Sequence, residues 1–384
     1  MDKVEGRLHT NSHKVETCAG VQRRELQKME QSSDQMRLLI AMKSGSGSVS
    51  PTENENKYEH MQNVYSEYGF EVLLTLVNDI ESIERAAAQF IPDLVLCGID
   101  HLPYKAANHT AQQNVHSWLE EHAINYIGSD PATIERVLSK VALKRVWTDK
   151  GIRTPAFGLV PLGEPERQNA TEKLVALNQF PYILKPDNLG NSRGIDEKGV
   201  VWDELQLSSA LERLCEFEQG EVLVEHYLGA YKDFEEVTCA MIEGPQGMLL
   251  MPCRLSLVQP GVYPIITTSD KDAHRTVTTR LDAEKTKDFL PFAHRAFGAS
   301  GVRDYARGDF IYANGAFWAI EINGQPMIPD RWFGNAARLN GLSESQYLVG
   351  IVAAGYRRLK AQGVIRADFP KEARVLLQET VLAL

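Results

Sequence analysis

Three oxygen-bearing side chains lie close together in residues 307–323, a segment that predicts two apolar strands joined by an Asn-Gly turn. Side chains alternate faces along a strand, so Glu321 and Asn323 share one face. Two carboxylates and an amide oxygen are ligands that Mg²⁺ prefers in proteins. We therefore treat Asp309, Glu321 and Asn323 as a candidate magnesium site.

The length of the turn decides whether Asp309 joins the other two side chains. A strict two-residue turn pairs Asp309 with Ile320 and places Glu321 on the opposite face. A three-residue loop with Gly315 in the left-handed conformation would restore the alignment. An edge hairpin with solvated acidic side chains is equally compatible with this segment alone.

A second group of polar residues follows the predicted strand over residues 181–185. The strand ends at Lys185, and residues 187–194 form a loop with two glycines, an asparagine and a serine. Such a loop lets backbone N–H groups approach phosphate oxygens closely, while the lysine supplies a positive charge. Taken singly, however, a lysine at a strand end and a Gly-Asn turn are common structural features.

Two further segments carry charged residues at suggestive positions. The predicted strand that begins at Glu221 ends at Glu225, and Glu236 lies in the next strand. Backbone groups in the linker between them could contact an adenine edge, and Glu236 could accept ribose hydroxyls, although acids at strand ends are more often solvated. Lys140 and Lys144 lie four apart on one predicted helix face, where a solvated basic stripe is the favoured explanation for Lys144.

The composition excludes several classes of protein. The chain has 384 residues, 43% of them hydrophobic, with a net charge of −10 and a pI near 5.6, and shows no basic stripe for nucleic acid. No apolar run approaches the ~20 residues that span a bilayer, and no secretory signal is recognisable. Five cysteines without close pairs fit reduced thiols. We expect a cytoplasmic protein without membrane or nucleic-acid partners.

The pattern of elements predicts a mixed α/β and α+β protein in several domains. Residues 1–35 form a polar tail, and residues 36–130 alternate strands with helices, which indicates a parallel sheet. A helix is predicted over 111–122, and a long one from Asp130, a good N-cap, to Gly151. We divide the remainder into a central unit over 131–226 and a C-terminal unit over 227–384.

Together these motifs resemble the ATP-grasp superfamily, in particular its D-alanine–D-alanine ligase-like branch, over residues 37–360. The resemblance implies an N-terminal α/β domain followed by two α+β subdomains that sandwich ATP. It also implies an ATP-dependent ligase that joins a carboxylate to an amine through an acyl phosphate. The motifs that carry it are Ser139-Lys140, Gly151-Ile152-Arg153-Thr154-Pro155, Leu184-Lys185-Pro186, Leu189-Gly190-Asn191-Ser192-Arg193-Gly194, Glu225, Glu236, Arg307-Gly308-Asp309 and Glu321-Ile322-Asn323.

The resemblance also implies roles at the phosphate end of the nucleotide. Lys140 and Lys185 resemble the two lysines that hold the ATP phosphates. Asn191, Ser192 and Gly194 lie in what resembles the mobile loop that closes over the γ-phosphate. Of these, Lys185 and Ser192 are candidate catalytic residues.

Other roles follow for the adenosine, the metal and the reacting groups. Glu225, with the backbone of Tyr227 and Leu228, resembles the adenine-binding hinge, and Glu236 resembles the ribose ligand. Arg307 occupies the place of the catalytic arginine that steadies the acyl phosphate. The residues similar to the ligands of two Mg²⁺ ions, for which Mn²⁺ is an alternative, are Asp309, Glu321 and Asn323.

The substrate side departs from the family pattern. The family carries an acid where this chain has the small, uncharged residues 44–50, and its His-Gly stretch is replaced by residues 98–109. Residues 252–276 and 325–332 also lack a match. The sequence therefore predicts a small-molecule carboxylate and an amine other than two D-alanines. The residues to search for substrate contacts, each of which has an ordinary structural explanation, are His101, His109, Arg254, Tyr263, Arg331 and Trp332.

Two other functions stay open from the sequence. The altered substrate loops suit a nucleotide-binding protein with a regulatory or lost catalytic function, although every phosphate and metal group is retained. A kinase that stops at phosphoryl transfer is a third alternative. The resemblance is also compatible with a homodimer formed through the first domain.

Overall fold

The computed structural model describes residues 35–43, 51–105, 110–177, 179–186, 196–215, 221–259, 261, 263–267, 270, 273–326 and 328–384, the side chains of 51–55 excepted. The predicted tail, apart from residue 35, lies outside the described residues. So do the loop over 44–50 and the candidate phosphate-loop residues Asn191, Ser192 and Gly194.

The N-terminal unit is built on short apolar strands that are buried in the middle of a sheet, as a parallel sheet covered by helices requires. The helix over residues 80–90 begins where the Asp79 side chain accepts the Ser82 N–H. In chain order the elements are β1 (Arg37–Lys43), α1 (Pro51–Glu67), β2 (Glu71–Val77), α2 (Ile80–Phe90), β3 (Leu94–Cys97), β4 (His101–Lys105), β5 (Thr110–Asn114), α3 (Val115–Glu121) and β6 (Tyr126–Ile127).

Strands of this unit pair in the order β2–β1–β3–β6, all parallel, while β4 and β5 form a separate antiparallel ribbon. The predicted helix over 111–122 is therefore wrong in its first turn. Residues 110–114 pair with β4, and the helix begins only at Val115, where the Asn114 side chain accepts the Ser117 N–H. A side-chain cap thus competes with helix continuation at this point.

The long helix predicted from Asp130 to Gly151 is two helices, α4 (Pro131–Leu138) and α5 (Lys140–Asp149). Ser139 between them is extended, with φ −84° and ψ 109°, and its hydroxyl accepts the Ala142 N–H. Serine is a good N-cap because its hydroxyl replaces a missing backbone acceptor. Lys140 is consequently the first residue of α5 rather than a mid-helix residue.

The central unit is an antiparallel sheet with two helices. Its strands pair in the spatial order Phe157–Pro161, Glu221–His226, Tyr182–Pro186 and Val200–Val201, and each neighbouring pair is antiparallel. In chain order the elements are β7 (Phe157–Pro161), α6 (Glu166–Leu177), β8 (Tyr182–Pro186), β9 (Val200–Val201), α7 (Glu204–Cys215) and β10 (Glu221–His226).

The C-terminal unit is a five-stranded antiparallel sheet with long helices packed on it. The last of these helices was not predicted from the sequence. In chain order the elements are β11 (Glu235–Gly244), β12 (Gly247–Leu257), β13 (Thr276–Arg280), α8 (Ala283–Ser300), β14 (Tyr305–Ala313), β15 (Ala316–Asn323), α9 (Arg331–Leu339), α10 (Glu344–Ala361) and α11 (Lys371–Leu377). The strand order is β13–β12–β11–β14–β15.

A bulge, not a longer loop, sets the register of the hairpin β14–β15. The turn has two residues, Asn314 with φ 52° and Gly315 with φ 71°, as a type I′ turn requires. The register then shifts between Asp309 and Phe310, so Asp309 lies opposite Glu321 instead of Ile320. Of the two loops considered from the sequence, the two-residue turn is the one that forms. The expectation that Asp309 joins Glu321 only through a longer loop is wrong, because the extra residue in β15 gives the same alignment.

The units share cores across their predicted boundaries, which themselves stay predictions. Helices α4 and α5 contribute Val137, Leu143 and Trp147 to the core of the C-terminal sheet, and the Trp147 indole N–H donates to Ala296 O at 3.1 Å. Helix α10 packs in one core with β1 and β3. Among the described residues, no helix is long and apolar enough to cross a membrane.

Candidate active site

A cleft lies between the central and C-terminal sheets and brings together most of the predicted site residues. The empty space in the cleft is about 1030 Å³, a volume that includes open solvent at its mouth. The predicted site residues that line it are Lys140, Lys185, Glu225, Tyr227, Leu228, Glu236, Asp309 and Glu321.

The candidate metal ligands lie on one face of the bulged hairpin. Asp309 is opposite Glu321 and Arg307 is opposite Asn323. The Thr238 hydroxyl donates to Asp309 Oδ1 at 2.8 Å, which leaves Oδ2 of the carboxylate toward Arg307. Asn323 Oδ1 accepts the backbone N–H two residues later at 3.0 Å and keeps a second lone pair.

This donor set fits a hard divalent cation but does not complete its shell. Asp309 and Glu321 supply carboxylate oxygens and Asn323 an amide oxygen, which are ligands of the type that Mg²⁺ takes. Among the described residues there is no group of three or more His, Cys, Asp and Glu side chains placed to hold a metal. A magnesium ion here would therefore need phosphate oxygens or water as further ligands.

Arg307 is held in place by two carboxylates. Its side chain belongs to a residue that is only 8% exposed, and it donates to Asp330 Oδ2 at 2.9 Å and, more weakly, to Asp309 Oδ2 at 3.4 Å. The guanidinium carbon lies 5.1 Å from the ring centre of Trp332. Burial opposes the charge, but Asp309, Asp330 and Glu321 outweigh it and raise the pKa of Arg307 above its ordinary value. The guanidinium is therefore a fixed positive charge beside the metal face.

Asp330 is a site residue that sequence reasoning missed. Its Oδ1 accepts the Phe333 N–H at 2.6 Å and so caps α9, while Oδ2 accepts from Arg307. The sequence signal was an Asp just before a predicted helix, which indicates a cap. Nothing in that signal points to the arginine 23 residues earlier.

Lys144, Glu225 and Lys185 form a buried charged cluster. Lys144 Nζ lies 2.7 Å from Glu225 Oε1, and Lys185 Nζ lies 2.6 Å from Glu225 Oε2. The exposed fractions of the side chains are 0% for Lys144, 1% for Glu225 and 11% for Lys185. The prediction of a solvated Lys144 is therefore wrong, and its ammonium group also donates to the Thr154 hydroxyl at 2.8 Å.

The charged groups of this cluster are stabilised by one another rather than by water. Burial alone would raise the pKa of Glu225, but Lys144 and Lys185 hold it at about 2. Burial lowers the pKa of Lys144, and Glu225 opposes that effect. Because both lysines bind its carboxylate, the side chain of Glu225 is not available to an adenine ring in this arrangement.

The linker after Glu225 forms the far end of the cleft. The N–H groups of His226 and Tyr227 donate to Ala156 O and Pro181 O, each at 2.8 Å, so these two amides are already used. The Tyr227 ring packs on Gly229, where a Cβ atom would come within 2.3 Å of the ring. Glu236 lies on the same face of β11 as Thr238. The predicted roles of this linker and of Glu236 at adenosine stay predictions.

The candidate substrate residues divide by position. His101 pairs with Glu135 at 2.7 Å, outside the cleft lining, and Arg254 shares the sheet face of Val237, opposite to the face that carries Glu236. Arg331 donates to Thr276 O at 2.9 Å, at the edge of the sheet. His109 lies outside the described residues.

Of the two aromatic candidates, one lines the cleft and the other packs against a lining residue. Trp332 lines it, and its indole N–H donates to Thr276 Oγ1 at 3.3 Å. Tyr263 packs edge-on against Tyr227, with ring centres 5.9 Å apart, and its hydroxyl accepts the Trp202 N–H at 2.9 Å. The Trp202–Tyr263 contact joins the segment that follows β9 to the segment between β12 and β13.

Comparisons with known proteins agree on one family. The profile of the family described as D-ala D-ala ligase C-terminus matches residues 146–353. The D-alanine–D-alanine ligase of Bordetella pertussis is 30% identical over 240 residues, which cover 61% of this chain and 71% of that protein. The ligase of Cupriavidus pinatubonensis is 25% identical over 272 residues, covering 70% and 79%.

Solved structures show the same fold. The D-alanine–D-alanine ligase of Bacillus anthracis superposes with a TM-score of 0.66 at 22% identity, covering 85% of this chain and all of that one. The structure of a Bacillus anthracis D-alanine–D-alanine ligase complexed with ATP gives a TM-score of 0.63 at 21% identity and covers 85% of this chain. The predicted ATP-grasp fold and the predicted family resemblance are confirmed.

Proposed function

The chain belongs to the D-alanine–D-alanine ligase family and is an ATP-dependent ligase, and we propose that it joins a carboxylate and an amine that are not two D-alanine molecules. ATP would bind in the cleft between the central and C-terminal sheets. The products would be an amide or peptide, ADP and phosphate. The carboxylate is an amino acid or a related small acid in this proposal.

One observation carries the proposal. A single cleft is lined by two lysines, Lys140 and Lys185, and by two carboxylates, Asp309 and Glu321. Cations from the chain suit the triphosphate, and paired carboxylates suit the divalent ion that accompanies it. A cleft that only bound an apolar ligand would have no use for both sets of charges.

The residues of the chain then have separate tasks. Lys140 and Lys185 hold the triphosphate, and Asp309, Glu321 and Asn323 hold Mg²⁺, which when bound neutralises the charge of the phosphates. Arg307, fixed by Asp330, offers its guanidinium to the oxygens of the acyl phosphate and of the tetrahedral adduct formed by the amine.

Charge repulsion explains why so many cations are needed. The substrate carboxylate attacks the γ-phosphate, so two anions must meet before any bond forms. Fixed positive charges lower that barrier because they are already oriented and need no solvent rearrangement. The amine then displaces phosphate from the acyl carbon and loses a proton.

The proposal that the substrates differ from two D-alanines rests on the segments that follow β1, β3 and β15. Where the family carries an acid after the first strand, this chain has small residues. In the segment after β3, His101 is paired with Glu135. Gln325 donates to Cys97 O and so ties the segment after Asn323 to the end of β3. These contacts support a differently shaped acceptor site.

A product search tests the proposal. The protein is incubated with ATP, Mg²⁺ and mixed amino acids of both chiralities, and products are identified by mass spectrometry together with ADP. We expect an amide that needs two components and a weaker signal for D-alanyl-D-alanine than for the best pair. D-alanyl-D-alanine as the main product would refute the substrate assignment. Nucleotide binding without any product would favour a regulatory protein, and a phosphorylated product would favour a kinase.

A further inference from the structure

The buried cluster of Lys144, Glu225 and Lys185 contains one lysine, Lys144, to which the reaction as described assigns no task. Two ammonium groups face one carboxylate, which gives a net charge of +1 in a cluster closed to solvent at Lys144 and Glu225. Of the two lysines only Lys185 lines the cleft, together with Glu225, whereas Lys144 does not belong to the lining. The excess positive charge is therefore presented to a ligand through one side chain.

The two carboxylate oxygens of Glu225 are divided between the lysines. Oε1 is 2.7 Å from Lys144, and Oε2 is 2.6 Å from Lys185. If Lys144 were neutral, the whole negative charge of Glu225 would act on Lys185, and the cluster would carry no net charge. Coulomb interactions at such distances are strong where water is excluded. A triphosphate would then meet a neutral ion pair instead of a cation.

We propose that Lys144 is a positioning residue that neutralises Glu225, so that Lys185 can offer its positive charge to an anionic ligand in the cleft. This inference rests on the proposed function in that the anionic ligand is the triphosphate of ATP. Lys144 itself does not contact the ligand. Its hydrogen bond to Thr154 and its pair with Glu225 keep it in the second layer behind the cleft wall.

A merely structural role for Lys144 makes different predictions. Lys144 lies on α5 and Glu225 on β10, so their pair also ties a helix to the central sheet. If that were its only task, each loss in the cluster would add to the damage, and nucleosides and nucleotides would be affected alike. The charge of the cluster predicts instead an order of affinities that follows net charge, and an effect confined to ligands with phosphates.

Three variants separate the two roles by charge. Lys144→Met gives a neutral cluster, Glu225→Gln gives +2, and the double variant restores +1. Binding of the non-hydrolysable analogue AMP-PNP with Mg²⁺ is measured by titration calorimetry, with adenosine as the ligand that has no phosphate. Circular dichroism and thermal unfolding check that each variant is folded.

We expect Lys144→Met to weaken AMP-PNP binding about tenfold or more while adenosine binding changes less than about twofold. The double variant should regain most of the loss, and Glu225→Gln alone should bind AMP-PNP at least as tightly as the original chain. A double variant that binds worse than either single one would overturn the inference, as would equal losses for adenosine and AMP-PNP.

The outcomes also distinguish this inference from the proposed function. If the original chain does not bind AMP-PNP, the proposed function and the inference both fail. If it binds and Lys144→Met binds equally well, only the inference fails. Should Lys144→Met not fold, Glu225→Gln decides: tighter or unchanged binding supports the charge argument, and a clear loss contradicts it.

Discussion

Replacing Asp330 by Asn separates two tasks of one carboxylate. Asp330→Asn keeps an oxygen that can accept the Phe333 N–H and cap α9, but it removes the charge that faces Arg307 at 2.9 Å. A hydrogen bond to a charged group contributes about 1.5–3 kcal/mol. Since Arg307 retains Asp309 at 3.4 Å, we expect the free energy of unfolding to fall by about 1–2 kcal/mol.

Catalysis should suffer more than stability from the same change. The guanidinium of Arg307 is oriented mainly by Asp330, and a displacement of about 1 Å in a positioned group costs about 10²-fold in rate. We expect kcat of Asp330→Asn to fall by about 10- to 100-fold, with KM for ATP nearly unchanged because the triphosphate contacts other residues.

Urea unfolding and steady-state ADP release measure the two effects. Asp330→Ala is the matched control, since it removes the cap as well and should cost about 1 kcal/mol more stability with a similar kcat. The reasoning is refuted if Asp330→Asn retains full kcat while Asp330→Ala loses it. That result would make the residue a helix cap alone.

Three further predictions concern stability. His116 is buried, burial lowers its pKa from 6.5 to about 4, and its Nδ1 forms a hydrogen bond with Ser129 O. The free energy of unfolding should therefore fall by up to about 3 kcal/mol as the pH falls from 6.5 through 4. In unfolding titrations, His116→Gln should flatten this pH dependence, whereas His60→Gln, at an exposed histidine, should not. Burial raises the pKa of Asp100 from 3.8 to about 6, so its ionised form is destabilised in the folded protein at neutral pH. Asp100→Asn should therefore raise the free energy of unfolding by about 1 kcal/mol at pH 7. A gain in stability that persists below pH 3.8 would contradict this cause. A Cβ at Gly308 would lie 2.7 and 2.9 Å from atoms of two neighbouring aromatic rings. Gly308→Ala should therefore lower the thermal midpoint and reduce the free energy of unfolding by about 1–3 kcal/mol. Gly163 has open space around it, and Gly163→Ala should leave stability unchanged.

The sequence predicted the elements well where local signals were strong. Apolar runs marked the strands, and the Asn-Gly pair marked the two-residue turn of the hairpin. The bulge could not be predicted because the extra residue, Ile320, ends the apolar run 316–320 and no glycine or other bulge signal stands beside it. The break at Ser139 was missed because the apolar period continues across it.

Contacts between residues far apart in the sequence limited how much of the site could be predicted. Lys144 and Glu225 are 81 positions apart, and their burial depends on how α5 packs behind the central sheet, which no local pattern encodes. The role of Asp330 beside Arg307 was hidden for the same reason. Type and order of the polar residues could be read from the sequence, whereas their partners required the folded chain.

Transfer of labelled oxygen tests the acyl phosphate most directly. The carboxylates of the amino acid mixture are labelled with ¹⁸O, and the inorganic phosphate released with ADP is analysed by mass spectrometry. Because the carboxylate attacks the γ-phosphate and its oxygen leaves with that phosphate, we expect one ¹⁸O atom per phosphate formed with product. Phosphate without label, or AMP with pyrophosphate in place of ADP, would contradict carboxylate activation at the face of Asp309 and Glu321.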